Sequence, residues 1–377
     1  MRSAHPLSVL PLLLTLVAFT VSCSGALTDK AGTDQVGASP ALQVIDTSTI
    51  GGAFSVSGSA SSDKSVAMGA RSSSVDRVVV LRSDTPSPTL QVIPNGLADS
   101  AVSRSSRLVG MGGPIPGYWM TADSLAGTQV LGRLDASGIL VASVAVTRTE
   151  PEALAMPMNS SITIGRVAAN GLFLTPRVTS TEAGSIAMGM HAFDASMHES
   201  STCIDGRMAR GGEEGRETGF VSDFDLGTDS RAVCTYGQSG LALVQPGGTS
   251  SIVPYLQTPT ALVTHVAAGR TTSEALVLAG SQVLVVNTET GETRSISIGS
   301  VPFSLGGAFV RRLFREGGTG VVVGDTKIVR FDIGTGALLP GVSFGYGPVV
   351  AAEQSSGKLF LAHTAGAGDI LSWLPLN

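Results

Sequence analysis

The pattern of apolar and polar positions repeats near the C-terminal end of the chain. Residues 281–299 read SQVLVVNTETGETRSISIG, and residues 326–345 read TKIVRFDIGTGALLPGVSFG. In each segment an apolar run ends at Asn287 or Asp332, and a glycine follows four residues later. An Asn or Asp side chain can bond to the backbone of its own turn, and glycine supplies the positive φ that closes a hairpin. Each segment therefore predicts two antiparallel strands joined by a short turn.

The two hairpins are 45 residues apart. Their apolar runs are nearly continuous, which indicates strands that are covered on both faces. A repeat of about 40–50 residues with several short strands is typical of a β-propeller, whose blades are four-stranded sheets arranged radially. The length of chain after residue 40 suits about seven such repeats. We predict an all-β fold, a β-propeller of seven four-stranded antiparallel blades, with six to eight blades as the permitted range.

The rest of the chain supports this interpretation. Apolar runs joined by turn-forming residues recur upstream, at residues 42–58, 76–96, 127–146, 170–189 and 239–257. Charged residues make up 14% of the chain, well below the roughly 25% of typical soluble domains. The chain contains 47 glycines. Few charges with many turn formers and β-branched residues favour strands over helices.

The last segment carries a family resemblance. In GYGPVVAAEQSSGKLFLAHTAGAGDILSWLPL, Gly345 and Pro348 precede a strand, Ser356 and Gly357 form a turn, and LFLAH is the next strand. This order resembles the repeat of YVTN-type and quinoprotein-like β-propellers. Ser356 stands where that repeat has Asp, and His363 stands where it has Asn. The resemblance implies the same radial arrangement of short strands.

The final blade needs a strand from elsewhere in the chain. After LFLAH the sequence contains one more strand-like run, DILSWLPL, which leaves the last sheet short of a member. The early run ALQVID, at residues 41–46, is placed to supply it. We therefore predict that residues 41–46 complete the final blade and close the ring.

The N-terminal residues of the chain have the pattern of a targeting sequence. A basic Arg2, a short apolar run and a stretch of small residues are typical of a secretory signal peptide. The run ends in FTVSC, which resembles the lipobox of bacterial lipoproteins, although Thr20 stands where that motif usually has Leu. The resemblance implies cleavage after Ser22 and lipid attachment to Cys23. Secretion without lipid, with cleavage after Ala26, is the alternative.

This signal divides the chain into three segments: a signal peptide at 1–22, the lipid-attachment residue and a flexible tether at 23–40, and the propeller domain at 41–377. The tether is small and polar without hydrophobic periodicity. Several acyl chains bury enough methylene groups for stable attachment to a membrane. The predicted location is the bacterial cell envelope, anchored to a membrane, most simply the outer membrane, and facing the periplasm or the cell surface. The net charge of −5 provides no basic surface for nucleic acid, so we predict no nucleic-acid partner.

The two remaining cysteines, Cys203 and Cys234, form an even pair. In an oxidising compartment such a pair predicts a disulfide. The bond would close the most charged and glycine-rich stretch of the chain and contribute roughly 3–4 kcal/mol in the chain-entropy model. Two separate buried thiols are the alternative interpretation.

The best candidate for a metal site is the stretch SDFDLGTDS. Asp223, Asp225 and Asp229 provide hard oxygen ligands of the kind that Ca²⁺ prefers. The spacing differs from that of an EF-hand, and the closing glutamate is missing. Aspartates in loops are more often turn formers that face water. Calcium is therefore a secondary hypothesis, and we predict no required cofactor.

Other chemical motifs are weak. Ser61 and Lys64 fit the S-x-x-K pattern of some hydrolases, but no helix is predicted to present them. His191, His198 and Cys203 are close in sequence, yet three soft ligands in one stretch are weak evidence for zinc. The tryptophan motif of quinone-dependent dehydrogenases is missing. We predict no catalytic residues.

The loop MGGPIPGYWM places Tyr118 and Trp119 beside glycine and proline. In a chain with 5% aromatic residues, such a pair is either a contact hot spot or part of the core. Core packing is the preferred interpretation.

Two functions are compatible with these features. The first is an envelope lipoprotein whose propeller binds or scaffolds a protein or polymer partner, which resembles in layout the propeller lipoprotein of the outer-membrane β-barrel assembly machinery. The second is an enzyme, such as a lactonase-like or metal-dependent hydrolase, that uses the central channel. Carboxylates gathered with His265 or His363 at one channel mouth would favour the enzyme. A channel lined by Ser, Val and Ala with an apolar patch on its rim would favour the binding module.

Overall fold

The computed structural model describes residues 41–72, 75–99, 103–112, 116–124, 128–146, 162–180, 186–204, 221–236, 240–253, 263–302 and 310–376. Within these residues, 28 strands form seven antiparallel sheets of four strands each. The predicted seven-bladed, all-β propeller is confirmed. The signal peptide, Cys23 and the tether lie outside the described residues.

The first three blades follow the chain in order. Blade 1 contains β2 (Ser55–Ser61), β3 (Ser65–Arg71), β4 (Asp76–Arg82) and β5 (Thr89–Pro94). Blade 2 contains β6 (Ser103–Met111), β7 (Gly117–Ser124), β8 (Gln129–Asp135) and β9 (Leu140–Val146). Blade 3 contains β10 (Arg166–Val167), β11 (Phe173–Ser180), β12 (Ile186–Phe193) and β13 (Glu199–Cys203). A four-residue helix α1 (Gly96–Asp99) lies between blades 1 and 2.

Blades 4 to 6 repeat this order. Blade 4 contains β14 (Phe224–Leu226), β15 (Ala232–Tyr236), β16 (Gly240–Val244) and β17 (Ser250–Val253). Blade 5 contains β18 (Val263–Ala268), β19 (Glu274–Ala279), β20 (Gln282–Asn287) and β21 (Thr293–Ser297). Blade 6 contains β22 (Leu313–Glu316), β23 (Thr319–Val323), β24 (Lys327–Asp332) and β25 (Leu338–Ser343).

Blade 7 is formed by both ends of the described chain. It contains β26 (Val349–Ser355), β27 (Lys358–Ala365), β28 (Gly368–Pro375) and β1 (Gln43–Val44). A short 3₁₀ helix (Ser48–Ile50) connects β1 to blade 1. No helix in the described part of the chain is both long and apolar enough to cross a membrane.

The two hairpins that reveal the repeat are the outer strand pairs of blades 5 and 6. The Asn287 side chain accepts a hydrogen bond from the Thr290 backbone amide at 3.0 Å, and Gly291 has a φ of 76°. In the second hairpin Asp332 begins the turn, and Gly336 has a φ of 78°. The predicted turn chemistry is therefore present in both copies.

Three of the weaker copies, at 76–96, 127–146 and 239–257, are also hairpins of third and fourth strands. The segment at 170–189 instead joins the second and third strands of blade 3, and 42–58 leads from blade 7 into blade 1. The sequence correctly predicted strands in these two segments, but the strands are not the third and fourth strands of one blade.

The ring closes as predicted. β1 pairs with β28, with Gln43 opposite Trp373 and Val44 opposite Ser372. The backbone amide of Ile45 donates to the Leu371 carbonyl at 2.9 Å, and the Ile45 side chain is buried between blades 7 and 1. The N-terminal end of the described chain therefore fastens the last sheet, so neither blade 7 nor blade 1 has an uncovered face.

The core consists of apolar layers between neighbouring blades. In the layer between blades 2 and 3, the Trp119 and Phe173 rings stack with their centroids 4.8 Å apart. Gly110 and Gly165 make this approach possible, because a Cβ at either position would lie within 3 Å of the Phe173 ring. Tight packing of this kind fixes the angle between the two blades.

Ring closure can be tested by truncation. Removal of residues 1–46 deletes β1 and the buried Ile45, whereas removal of residues 1–40 deletes neither. We expect the shorter chain to lose about 2–5 kcal/mol of unfolding free energy, as for other large buried aliphatic side chains. Urea denaturation followed by tryptophan fluorescence measures the difference. Equal midpoints for the two truncated chains would contradict closure by β1.

Candidate functional site

The first strands of the blades surround a central channel. β2 lies against β6 and β26, and β18 lies against β14 and β22. Because each blade is antiparallel, the turns between first and second strands and those between third and fourth strands emerge on one side, which we call the mouth face. The turns between second and third strands emerge on the opposite face.

The channel contains a small chamber of about 30 Å³. Three arginines and one carboxylate contribute side chains to its wall: Arg107, Arg166, Arg311 and Glu353. The volume is sufficient for a water molecule. The channel is therefore narrow and polar at this level, and it does not match the Ser, Val and Ala lining considered above.

A β-bulge in β2 shapes the chamber wall. The register with β3 shifts between Val56 and Ser59, and Gly58 within the bulge has a φ of 118°. A Cβ at Gly58 would lie 2.3 Å from the carbonyl oxygen of Leu108 on β6. Glycine is thus required here both for its backbone conformation and for the close approach of blades 1 and 2.

Glu353 is held by hydroxyl groups from the neighbouring blade. Its two carboxylate oxygens accept hydrogen bonds from Ser59 at 3.0 Å and from Ser61 at 2.9 Å. Only 3% of the residue is exposed. These contacts connect blade 7 to blade 1 and place a negative charge among the chamber arginines.

Asp223 is the centre of a second group of charges. Its carboxylate accepts hydrogen bonds from the backbone amides of Phe224 and Val266, and it lies 3.9 Å from the Arg166 guanidinium and 3.6 Å from His265 Nδ1. Burial alone would raise the pKa of Asp223, but His265, Arg166 and Arg311 together hold that pKa below its ordinary value. Asp223 is therefore a carboxylate at neutral pH.

Asp225 and Arg311 form the shortest ion pair of the channel wall. An Arg311 Nη2 to Asp225 Oδ2 distance of 2.6 Å joins blades 4 and 6, and the Ala268 backbone amide donates to the same carboxylate oxygen. Burial would lower the pKa of Arg311, but the nearby carboxylates of Asp225, Glu353 and Asp223 raise it. The guanidinium remains charged and helps to hold the ring together.

The carboxylates of the channel wall are therefore engaged by arginines, hydroxyl groups and backbone amides. His265 does gather with an acidic residue, as the enzyme hypothesis requires, but that residue is the already occupied Asp223. His363 lines neither the chamber nor the mouth. A general acid or base needs a proton that it can exchange with substrate. The arrangement is that of a structural charge network.

The chamber opens into a larger cavity of about 410 Å³ at the mouth face. Gly165, Arg166 and Arg311 line both spaces. The wall of the larger cavity comes from six of the seven blades, namely residues 60–63, 110–111, 165–167, 225–226, 311, 315–316 and 354–357. This mouth is much larger than the chamber and draws its wall from six blades, and it is our candidate functional site.

The rim between blades 7 and 1 is held by hydroxyl groups. Ser355 donates to the Ser62 carbonyl at 2.6 Å, and Ser356 donates to the Asp63 carbonyl at 2.5 Å. Ser83, in the turn after β4, lies 2.7 Å from the Ser355 hydroxyl. These bonds between blades fix the rim in one arrangement before any partner arrives.

The large exposed apolar side chains of the described residues do not line the mouth. They lie mostly on or beside the outer strands of several blades: Val44, Ile139, Val141, Ile252, Leu338 and Tyr346. The rim patch that the binding hypothesis considered is thus not found among them. A mouth of this kind suits a polar ligand surface.

The three aspartates of the calcium hypothesis have separate partners. Asp223 and Asp225 belong to the channel wall, whereas Asp229 lies in the turn after β14 and bonds to Arg231 and Thr272. Within the described residues, no group of three metal-ligating side chains is found. Asp229 matches the alternative interpretation of a turn former.

The residues of the remaining candidate motifs bond to other partners. Ser61 bonds to Glu353, and Lys64 lies in the exposed turn between β2 and β3, not on a helix. His191 Nδ1 lies 2.5 Å from Glu199, whereas His198 pairs with Asp194. The hydrolase and zinc interpretations gain no support from these positions.

Tyr118 and Trp119 are both buried on β7, with 6% and 1% of each residue exposed. Core packing, the preferred interpretation of this pair, is confirmed. Neither side chain is available as a contact hot spot.

The structure does not join Cys203 to Cys234. Cys203 lies on β13 directly opposite Gly189, so its side chain is on the face of blade 3 that packs toward blade 2. Cys234 lies on β15 in the apolar layer between blades 3 and 4, together with Met188. The sheet of blade 3 therefore separates the two sulfurs, and the predicted disulfide is not formed. Burial raises the pKa of the Cys234 thiol far above its ordinary value.

The charged residues of the channel were not found from the sequence. Arg107, Arg166, Arg311 and Glu353 occur in different blades and belong to no local motif. A usable signal did exist, because each lies in or just before a first strand in a chain with few charges. Using it requires the blade boundaries to be known first.

The fold is similar to that of a solved structure, whereas the sequence matches no protein-family model and no curated protein. The crystal structure of the WD40 β-propeller domain of Doa1 matches with a TM-score of 0.52 at 10% sequence identity, over 89% of this chain and 97% of that one. At this identity the similarity establishes the fold alone. The chain therefore shares the β-propeller fold of that domain.

Burial of His363 makes the stability of the fold depend on pH in the acid range. It is buried on β27, with Nε2 2.8 Å from the Ser372 hydroxyl, and burial lowers its pKa to about 4. Between pH about 6.5 and about 4 the unfolded chain therefore binds a proton that the folded chain does not. We expect this residue to make stability fall as the pH falls through that window, by up to about 1.4 kcal/mol per pH unit.

The measurement is the unfolding free energy from urea curves at several pH values. His363→Gln removes the titrating group while its amide can still pair with Ser372, so we expect the variant to have a shallower acid slope than the wild-type chain. Identical slopes for the two chains would contradict a neutral, buried His363.

Proposed function

We propose that this chain is a lipid-anchored protein of the bacterial cell envelope, whose propeller holds a protein or polymer partner at its mouth face. The observation that carries the binding role is the mouth cavity of about 410 Å³, whose wall comes from six blades. The lipobox-like FTVSC and the polar tether support the envelope location. The resemblance to YVTN-type propellers is consistent with this role and remains a prediction.

The chemistry of the mouth favours a polar partner surface. Both signs of charge are present, as Arg315, Glu316 and Asp63, among hydroxyl groups that are already bonded within the rim. Arg315 of blade 6 forms an ion pair with Glu274 of the neighbouring blade 5, with a nitrogen–oxygen distance of 2.6 Å. This part of the rim is therefore also held in place. A rigid site loses little conformational entropy when a partner binds.

The alternative of a hydrolase is supported less well. The channel carboxylates Asp223, Asp225 and Glu353 each have strong donors, and Asp223 stays ionised for that reason. A catalytic carboxylate usually has a pKa shifted toward the working pH. The pKa of Asp223 is shifted in the opposite direction.

The membrane anchor can be tested at Cys23. The lipidated wild-type chain should enter the detergent-rich phase in a two-phase separation, and Cys23→Ser should stay in the aqueous phase. Mass spectrometry of the mature N-terminus should find acylated Cys23 in the wild-type chain. A mature chain that begins at Leu27, without lipid, would instead support ordinary secretion.

Partner binding can be tested with two matched variants. Asp63→Lys alters an exposed residue of the mouth, whereas Ser281→Lys alters an exposed residue in the turn between β19 and β20 on the opposite face. We expect affinity purification of the intact protein from detergent-solubilised envelopes to recover a reproducible partner. Asp63→Lys should reduce that recovery severalfold, and Ser281→Lys should not.

Two results would contradict the proposal. One is the absence of any reproducible partner for the wild-type chain. The other is equal recovery with Asp63→Lys and Ser281→Lys, which would move the interface away from the mouth.

A further inference from the structure

Cys203 and the imidazole of His191 occupy diagonal positions on the same face of the outer part of blade 3. The thiol is on the exposed edge strand β13, and its residue is directly opposite Gly189 on β12. His191 is two residues from Gly189, so it projects from the same face of the sheet. Glycine at position 189 leaves the space between the imidazole and Cys203 without a side chain.

His191 is oriented by Glu199 and buried. Its Nδ1 lies 2.5 Å from a Glu199 carboxylate oxygen, and only 3% of the residue is exposed. The other ring nitrogen, Nε2, is buried and has no hydrogen-bond partner within the described part of the chain. A carboxylate that accepts the Nδ1 proton leaves the Nε2 lone pair available as a base.

The unpartnered Nε2 faces the strand position of the thiol. A Cβ built at Gly189 would lie 3.4 Å from this nitrogen. The Cβ atoms of directly opposite residues in an antiparallel pair are about 4.5–5.5 Å apart. Since Cys203 is the residue opposite Gly189, its sulfur and His191 Nε2 share one small region of the sheet.

Charged groups of both signs surround this region. Gly189 has a second neighbour across the sheet, because Arg177 on β11 lies directly opposite it. The Arg177 Nη1 atom is 3.2 Å from Glu199 Oε1. Across the interface, Asp123 on β7 projects from the face of blade 2 that carries Trp119. Arg177 and the imidazole favour the thiolate form of cysteine, whereas the carboxylates of Glu199 and Asp123 oppose it, so the imidazole is the group that decides.

We propose that Cys203 is a reactive thiol, activated by His191, and that it undergoes exchange with the disulfides of small thiols. His191 Nε2 accepts the thiol proton, and the Cys203 sulfur attacks one sulfur of the small disulfide. A new S–S bond forms on Cys203 as the old one breaks, and the released thiolate takes up the proton. One disulfide is consumed and one is formed, so no further oxidant is needed. The inference is independent of the proposed partner binding.

The test uses the full chain with Cys23→Ser and Cys234→Ala, in which Cys203 is the only thiol. The probe is an aromatic disulfide that releases a coloured thiolate. We expect the folded protein at pH 7 to react at least about tenfold faster than the same chain in urea. Adding His191→Gln should remove this difference, and adding Cys203→Ser should abolish the reaction.

A second measurement does not depend on any variant at the imidazole. An ordinary thiol reacts about tenfold more slowly for each pH unit below its pKa. We expect the folded chain to keep its rate from pH 7 to pH 6, and Glu199→Gln to restore a steep pH dependence. Arg177, Glu199 and Asp123 are the charged groups whose titration or substitution bears on this profile.

Two outcomes would overturn the proposal. One is a folded-state rate that equals or falls below the rate in urea. The other is a rate that falls tenfold between pH 7 and pH 6 in the folded chain. Loss of partner binding in the mouth variants would leave both measurements unchanged, so the two proposals fail separately.

Discussion

The structure depends on the need of every blade to cover two apolar faces. Strands such as β20 and β23 carry consecutive buried side chains, so each sheet must have a neighbour on both sides. A linear stack would leave the two end sheets exposed. The pairing of β1 with β28 removes those ends, because it completes blade 7 with chain from the opposite terminus. The edge strand β1 therefore closes the ring although it is only two residues long.

Closing the ring creates the channel and buries charged side chains along its wall. First strands from seven blades converge, and their polar side chains leave bulk water together. Unpaired buried charges would cost several kcal/mol each. Arg311 and Asp225 avoid this cost because they form an ion pair between blades 6 and 4. Glu353 avoids it because its carboxylate accepts hydrogen bonds from two hydroxyl groups of blade 1. The same contacts that satisfy the charges also tie distant blades together and keep the mouth rigid.

Local chemistry made the fold largely predictable. The turns at Asn287 and Asp332 fix hairpins through bonds within a few residues, and the spacing between them fixes the size of a blade. The disulfide prediction failed for a related reason: Cys203 and Cys234 were compared by distance along the chain, whereas the face on which each sulfur lies depends on strand register. A shift of one residue reverses that face. The sequence did not reveal this register.

The sequence by itself determined the strand-rich architecture, the number of repeats and the closing segment. Each of these is encoded in contiguous residues or in a regular period. Only the tertiary structure decided which charged residues meet: Arg107, Arg166, Arg311 and Glu353 come from four different blades. The physical reason is that a ring brings equivalent strand positions together at its centre, and no local pattern records the chemistry that results.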